Sequence, residues 1–120
     1  MEDSRSTPLH FEAAVERPLS AVFQTADGRW EGHDFTVQVI ATRPGLDRFD
    51  VVVDFRELEA VLDQLLLPFQ GRLLSDLGVS GPQELAQKLL TALAPCVPAP
   101  VRIQEVALTD GRGRRLSLRP

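Results

Sequence analysis

The chain has no tyrosine, one tryptophan, one methionine and one cysteine among its 120 residues. A lone thiol, Cys96, excludes an intrachain disulfide and any zinc module built from cysteines. Histidine is nearly as scarce, with only His10 and His33. A catalytic zinc centre usually takes three protein ligands and keeps a fourth position open. Basic charge is also short, at 13 Lys and Arg against 17 Asp and Glu, a net charge of −4 and a pI near 5.1. A duplex-DNA binder would need a large basic surface, so nucleic acid is excluded as a partner. Lys88 is the only lysine, which reads as genome composition. No apolar run approaches a membrane span. The Met1-Glu2-Asp3 start lacks the basic and apolar stretches of a signal peptide, so a cytoplasmic location without membrane association is expected. No glycine-rich phosphate loop follows a strand, and no nucleophile elbow occurs.

What is present is the mix of an ordinary globular domain, 43% hydrophobic and 25% charged. Residues 1–8 read as a flexible polar segment and 9–120 as one domain. From Leu9 to Glu16 residues alternate, with Phe11, Ala13 and Val15 on one face. Trp30 to Thr42 alternates more cleanly, with His33, Phe35, Val37, Val39 and Ala41 together. These two runs predict antiparallel strands joined by an irregular loop containing Asp27-Gly28. Asp54 and Glu57 have capping-box spacing ahead of a stripe from Leu58 to Phe69, with Pro68 as the stop. Ser80 can cap a second helix that carries Pro82 in its first turn and Leu85, Leu89, Leu90 and Leu93 as its stripe. Val101–Leu108 and Arg115–Leu118 read as the third and fourth strands around Asp110-Gly111. The predicted class is α+β: a four-stranded antiparallel sheet with two antiparallel helices on one face, in the order ββααββ. Such a sheet leaves edges, which gives a physical motive for self-association.

Glu105 is the first candidate for chemistry. Spacing places it with Val101, Ile103 and Ala107 on an apolar sheet face, where a carboxylate needs donors or a cation. It either reaches an arginine or solvent, or accepts two N–H bonds from the edge of a ligand. Glu31 and His33 share a strand face and could supply two metal ligands, against the plainer reading of a hydrogen-bonded structural histidine. Cys96 reads as an inert thiol, Trp30 as packing, and Arg112, Arg114, Arg115 and Arg119 as a solvated face. Asp54 and Glu57 are explained by capping.

The stretch Glu31-Gly32-His33-Asp34-Phe35 resembles the His-Gly-His-Asn-aromatic strand of the 6-pyruvoyl- and 6-carboxy-tetrahydropterin synthases. Phe11-Glu12-Ala13-Ala14-Val15 resembles their Phe-x-Ala-Ala-His strand. Val52-Val53-Asp54-Phe55-Arg56-Glu57-Leu58 resembles their Met-Val-x-Asp-Phe-x-x-Leu helix start. Leu74-Ser75-Asp76, Gln83-Glu84-Leu85-Ala86 and Val101-Arg102-Ile103-Gln104-Glu105 follow in family order. The resemblance implies the tunnelling fold, a homo-oligomer (by analogy a hexamer of two stacked trimers), pockets at subunit interfaces, and Glu105 as a pterin anchor beside Gln83.

It also implies a dismantled centre. The family's three zinc histidines correspond to Val15, Glu31 and His33, so metal ligands are not retained and no cofactor is expected. Its catalytic cysteine falls at Asp27, its Asp-His proton relay at Gln70 and Gly71, and a threonine near the second helix at Gly81; no catalytic residue is assigned. The resulting expectation is a homologue that binds a pterin or purine-like ring through Glu105 without the family reaction. The alternatives are an enzyme of altered chemistry, metal-free or using Glu31, His33 and Asp27, and a structural oligomeric subunit with no small ligand. A metal-free aldolase of the same fold resembles the chain less well, since that enzyme's tyrosine has no counterpart.

Overall fold

The two longest elements are strands, and the first alternates well beyond its predicted limit. In the computed structural model, which describes residues 9–45 and 51–120, β1 spans His10–Gln24 and β2 spans Trp30–Pro44. The proposed flexible segment 1–8 lies outside the described residues. Every odd position of β1 from Ala13 to Phe23, except half-buried Arg17, is buried, as are Phe35, Val37, Val39 and Ala41 of β2. Pro18 does not end β1, because it sits where the strand's N–H would face an edge rather than a ladder partner. The hairpin closes at Thr25–Arg29, where Gly28 takes φ 85°.

Helix α1, Phe55–Leu66, starts where the capping pattern places it, with the Asp54 carboxylate accepting from the N–H groups of Arg56 (2.9 Å) and Glu57 (3.4 Å). Leu58, Leu62 and Leu66 form its buried stripe. Pro68 then falls in a short 3-10 turn, Leu67–Phe69, that ends the helical run. Helix α2, Pro82–Leu93, is capped differently from the expectation. Gly81, not Ser80, is the N-cap, and Glu84 reaches back to accept the Ser80 N–H at 2.7 Å. Its buried face is Leu85, Ala86, Leu89 and Leu93.

Between the helices lies the main correction to the predicted topology. Arg72–Leu73 forms a two-residue strand, β3, parallel to β1 at Ala21 and Val22. With β4 (Arg102–Thr109) and β5 (Arg115–Leu118), the sheet is five-stranded and mixed, in spatial order β3-β1-β2-β4-β5. The chain order is therefore ββαβαββ. Leucines of both helices and the inward residues of β1, β2 and β4 form one core on one face of the sheet. Burying each such leucine contributes roughly 1.5–3 kcal/mol. The opposite face carries polar side chains bonded to one another: Glu16 to Gln38, Gln38 to Arg115, Gln104 to Glu12 and Ser20 to Asp34.

One irregularity decides where Glu105 points. Ile40 pairs with Glu105 but the next residue, Ala41, pairs with Ile103, so Gln104 is an extra residue on β4. Such a bulge reverses inside and outside for the rest of the strand. Ile103 faces the helices; Val106 and Leu108 do so after the bulge. Glu105 is therefore on the helix-free face, opposite to Val101 and Ile103, and the expected simple alternation fails there.

Candidate functional site

The hairpin register fixes which side chains can meet. On β1, Phe23 lies opposite Glu31 and Ala21 opposite His33. Val15 lies opposite Val39, six residues along the strand from Ala21, or roughly 20 Å at about 3.3 Å per residue. Zinc ligands sit about 2 Å from their ion. Val15 is thus not brought to Glu31 and His33, and the β1 residue that faces them is Phe23.

Phe23, His33 and Phe35 form an aromatic cluster. The His33 ring stacks on Phe35 at 5.4 Å and lies 6.1 Å from Phe23, while the two phenyl rings meet edge to face at 5.9 Å. His33 donates from Nε2 to the Glu31 carboxylate at 2.6 Å. These two groups open on a cavity of about 410 Å³ between the hairpin end, the start of α2 and the β4–β5 turn. Gln83 lines it with Asp110 and Arg114. Gly81 leaves room for the Gln83 carboxamide, since a Cβ there would lie 3.0 Å from its Oε1.

Asp110 is tied into its own turn. It accepts from the N–H of Arg112 at 2.9 Å, the N–H of Arg114 at 3.0 Å and Arg114 Nε at 2.7 Å. Desolvation pushes its carboxyl up, but these bonds outweigh it and the net direction is down. Asp27, in the hairpin turn, accepts from the Thr25 hydroxyl and from Arg29 Nε. The Thr25 bond, ahead of an opposing desolvation and the Arg29 bonds, holds its carboxyl below the usual range. Asp27 does not line the His33 cavity.

Glu105 lies elsewhere. Only 2% exposed, it accepts from Arg115 Nη2 at 2.5 Å and from Arg119 Nε at 3.0 Å, one arginine to each oxygen. Burial pushes its carboxyl up; the two guanidinium bonds and charges outweigh that and hold it below the ordinary glutamate value. It does not line the cavity beside His33, so the two expected ligand residues, Glu105 and Gln83, do not meet within one chain. Gln70 and Gly71 are edge groups. Gln70 Nε2 donates to the Pro18 carbonyl at 2.8 Å, its Oε1 accepts the Ser20 N–H at 3.2 Å, and the Gly71 N–H donates to the Ser20 carbonyl at 2.6 Å.

Comparison with solved structures settles the architecture. Caenorhabditis elegans 6-pyruvoyl tetrahydropterin synthase superposes with a TM-score of 0.71 at 12% identity, covering 95% of this chain and 96% of that one. The chain has the 6-pyruvoyl tetrahydropterin synthase fold. A catalytic-residue mutant of Plasmodium vivax 6-pyruvoyltetrahydropterin synthase matches at 0.70 and 10% identity, covering 93% of this chain and 98% of that one. No protein-family model and no curated protein sequence matches.

On β1 the residue that faces Glu31 is Phe23. A phenyl ring has no donor atom, and His33 and Glu31 are bonded to each other. Among the described residues no group of three metal-ligating side chains is gathered. Phe23, Glu31 and His33, the side chains that face one another here, do not supply the three ligands of a zinc centre. Phe23, Asp110 and Arg114 are the site residues that sequence reasoning missed. Continued alternation past Pro18 was the available signal for Phe23, and the stop at Asp110-Gly111 was the signal for the turn.

Proposed function

We propose that this chain binds a planar pterin- or purine-like ring in the cavity beside His33 and does not carry out the synthase reaction. The observation that carries the reading is the shared cavity: an aromatic wall of Phe23, His33 and Phe35 with the Gln83 carboxamide at its rim. A carboxamide offers a donor and an acceptor side by side, which suits the edge of a pterin or purine. Gln83, rather than Glu105, reads the ring edge in this proposal, because Glu105 is closed behind two arginines on the other face. In this reading Phe23 supplies no metal ligand, and Gln70 and Gly71 serve the sheet edge rather than substrate polarisation or proton transfer. The chain acts as a homo-oligomer, by the resemblance a hexamer, joined through its open sheet edges.

Thermal shift and calorimetry with neopterin, biopterin and guanine test the reading. Binding is expected in the native chain, is lost in Gln83→Ala and is kept in Glu105→Gln. Absence of binding by all three ligands overturns it, and loss in Glu105→Gln alone returns the anchor to Glu105. A second reading, altered catalysis by an acid–histidine pair, is favoured by the 2.6 Å contact of Glu31 with His33. Turnover of dihydroneopterin triphosphate that disappears in His33→Ala would select it.

A further inference from the structure

Gly81 is the one glycine of the chain whose missing Cβ matters to another side chain. Gly28, Gly45, Gly71, Gly78 and Gly113 take positive φ, which by itself favours glycine. A Cβ at Gly32 or Gly111 would meet nothing within 4 Å. Gly81 differs on both counts. Its φ of −173° is extended backbone open to any residue. A Cβ there would nevertheless stand 3.0 Å from Gln83 Oε1, tighter than ordinary contact.

Helix capping does not call for glycine here either. Gly81 is the N-cap of α2 and offers no side chain to the free N–H groups of the first turn. Serine would accept one of them and would stand three residues before Glu84, the spacing of a capping box. The position therefore holds a residue no better than serine for the helix and better than serine for Gln83. The backbone has little freedom to relieve the contact. Pro82 stiffens the link between the two residues, the Leu85 N–H bonds the Gly81 carbonyl at 3.1 Å, and Glu84 holds the Ser80 N–H at 2.7 Å. The Gln83 carboxamide, which lines the cavity beside His33, is what would have to withdraw. We propose that Gly81 sets the ring selectivity of that cavity. The space it leaves lets the Gln83 carboxamide reach the ring edge, while Phe23, His33 and Phe35 give any planar ring a surface to stack on. This role rests on ring binding beside His33, and Gly81 acts through Gln83 as a positioning residue.

Calorimetry on the full chain with guanine and with unsubstituted purine separates the two contributions. Purine keeps the ring but lacks the carbonyl and amino groups that a carboxamide pairs with. The native chain is expected to prefer guanine about tenfold, as one well-made pair of hydrogen bonds implies. In Gly81→Ser and Gly81→Thr that preference is expected to disappear. Purine affinity is expected to stay as in the native chain, and the thermal midpoint to equal the native one or exceed it. A merely structural glycine would instead lower the midpoint and weaken both ligands together, and that result overturns the proposal. An unchanged guanine preference in both variants also overturns it and leaves ring binding standing. A native chain that binds guanine and purine equally removes the carboxamide's part and the role of Gly81 with it. A native chain that binds neither removes the ring reading as well.

Discussion

At the scale of single residues, Glu105 shows how one carboxylate can be both expensive and necessary. Desolvation alone would raise its pKa, and the two guanidiniums reverse that direction. Its folded pKa lies below the unfolded carboxylate value of about 4.3. The ion triad therefore contributes its full stability above that value, and the contribution is lost as pH falls through the depressed folded pKa. Urea midpoints recorded from neutral pH downward should decline less steeply on the acid side in Glu105→Gln than in the native chain. At neutral pH Glu105→Ala should cost about 1–3 kcal/mol, since it leaves Arg115 and Arg119 half-exposed rather than stranded. A variant as stable as the native chain at neutral pH would show that the triad is only a surface pairing.

At the scale of elements, a side chain closes part of a sheet edge. Gln70 meets the Pro18 carbonyl and the Ser20 N–H as a neighbouring strand would. Gln70→Ala should cost about 1 kcal/mol, and hydrogen exchange at the Ser20 amide should quicken while that at Val37 in the core stays slow. Equal protection of Ser20 in both proteins would remove Gln70 from this role. The same elements show what the sequence made legible. Both helices, the Asp54 cap and the strand alternation were readable because each follows a local period or a local hydrogen bond. The length of β1 was hidden by Pro18, whose tolerance depends on facing an edge that only the tertiary structure defines. Glu105 was assigned to the wrong face because a bulge leaves no mark on composition; Gln104 looks like any outward strand residue. β3, at two residues, is too short to carry a period at all. Around the cavity, the sequence had singled out His33, Glu31 and Gln83, whereas Phe23, which faces Glu31 across the hairpin, lay beyond the strand limit drawn before Pro18.

At the scale of the whole molecule, the sheet has one covered and one uncovered face, and two open margins. The uncovered face carries bonded polar side chains, Glu12 with Gln104 and a run from Glu16 through Gln38, Arg115 and Glu105 to Arg119. Among the described residues, the outer margin of β1 from His10 to Arg17 has no strand partner, and neither does the outer margin of β5. Self-association through these margins should place the acids Glu12 and Glu16 of one copy near the arginines Arg115 and Arg119 of another. Light scattering should report an assembly that loosens as salt rises, and Glu12→Lys with Glu16→Lys should shift it toward the monomer. A native chain that stays monomeric at all concentrations would exclude edge pairing.

The carboxamide of Gln70 also acts as a doorstop. A visiting strand could slide along β1 only until it met that side chain, so a seam formed there would span the eight residues His10–Arg17 and stop at a fixed point. Registry between copies would then be gauged by a single amide, set from a neighbouring turn, rather than by the sequence of the seam itself.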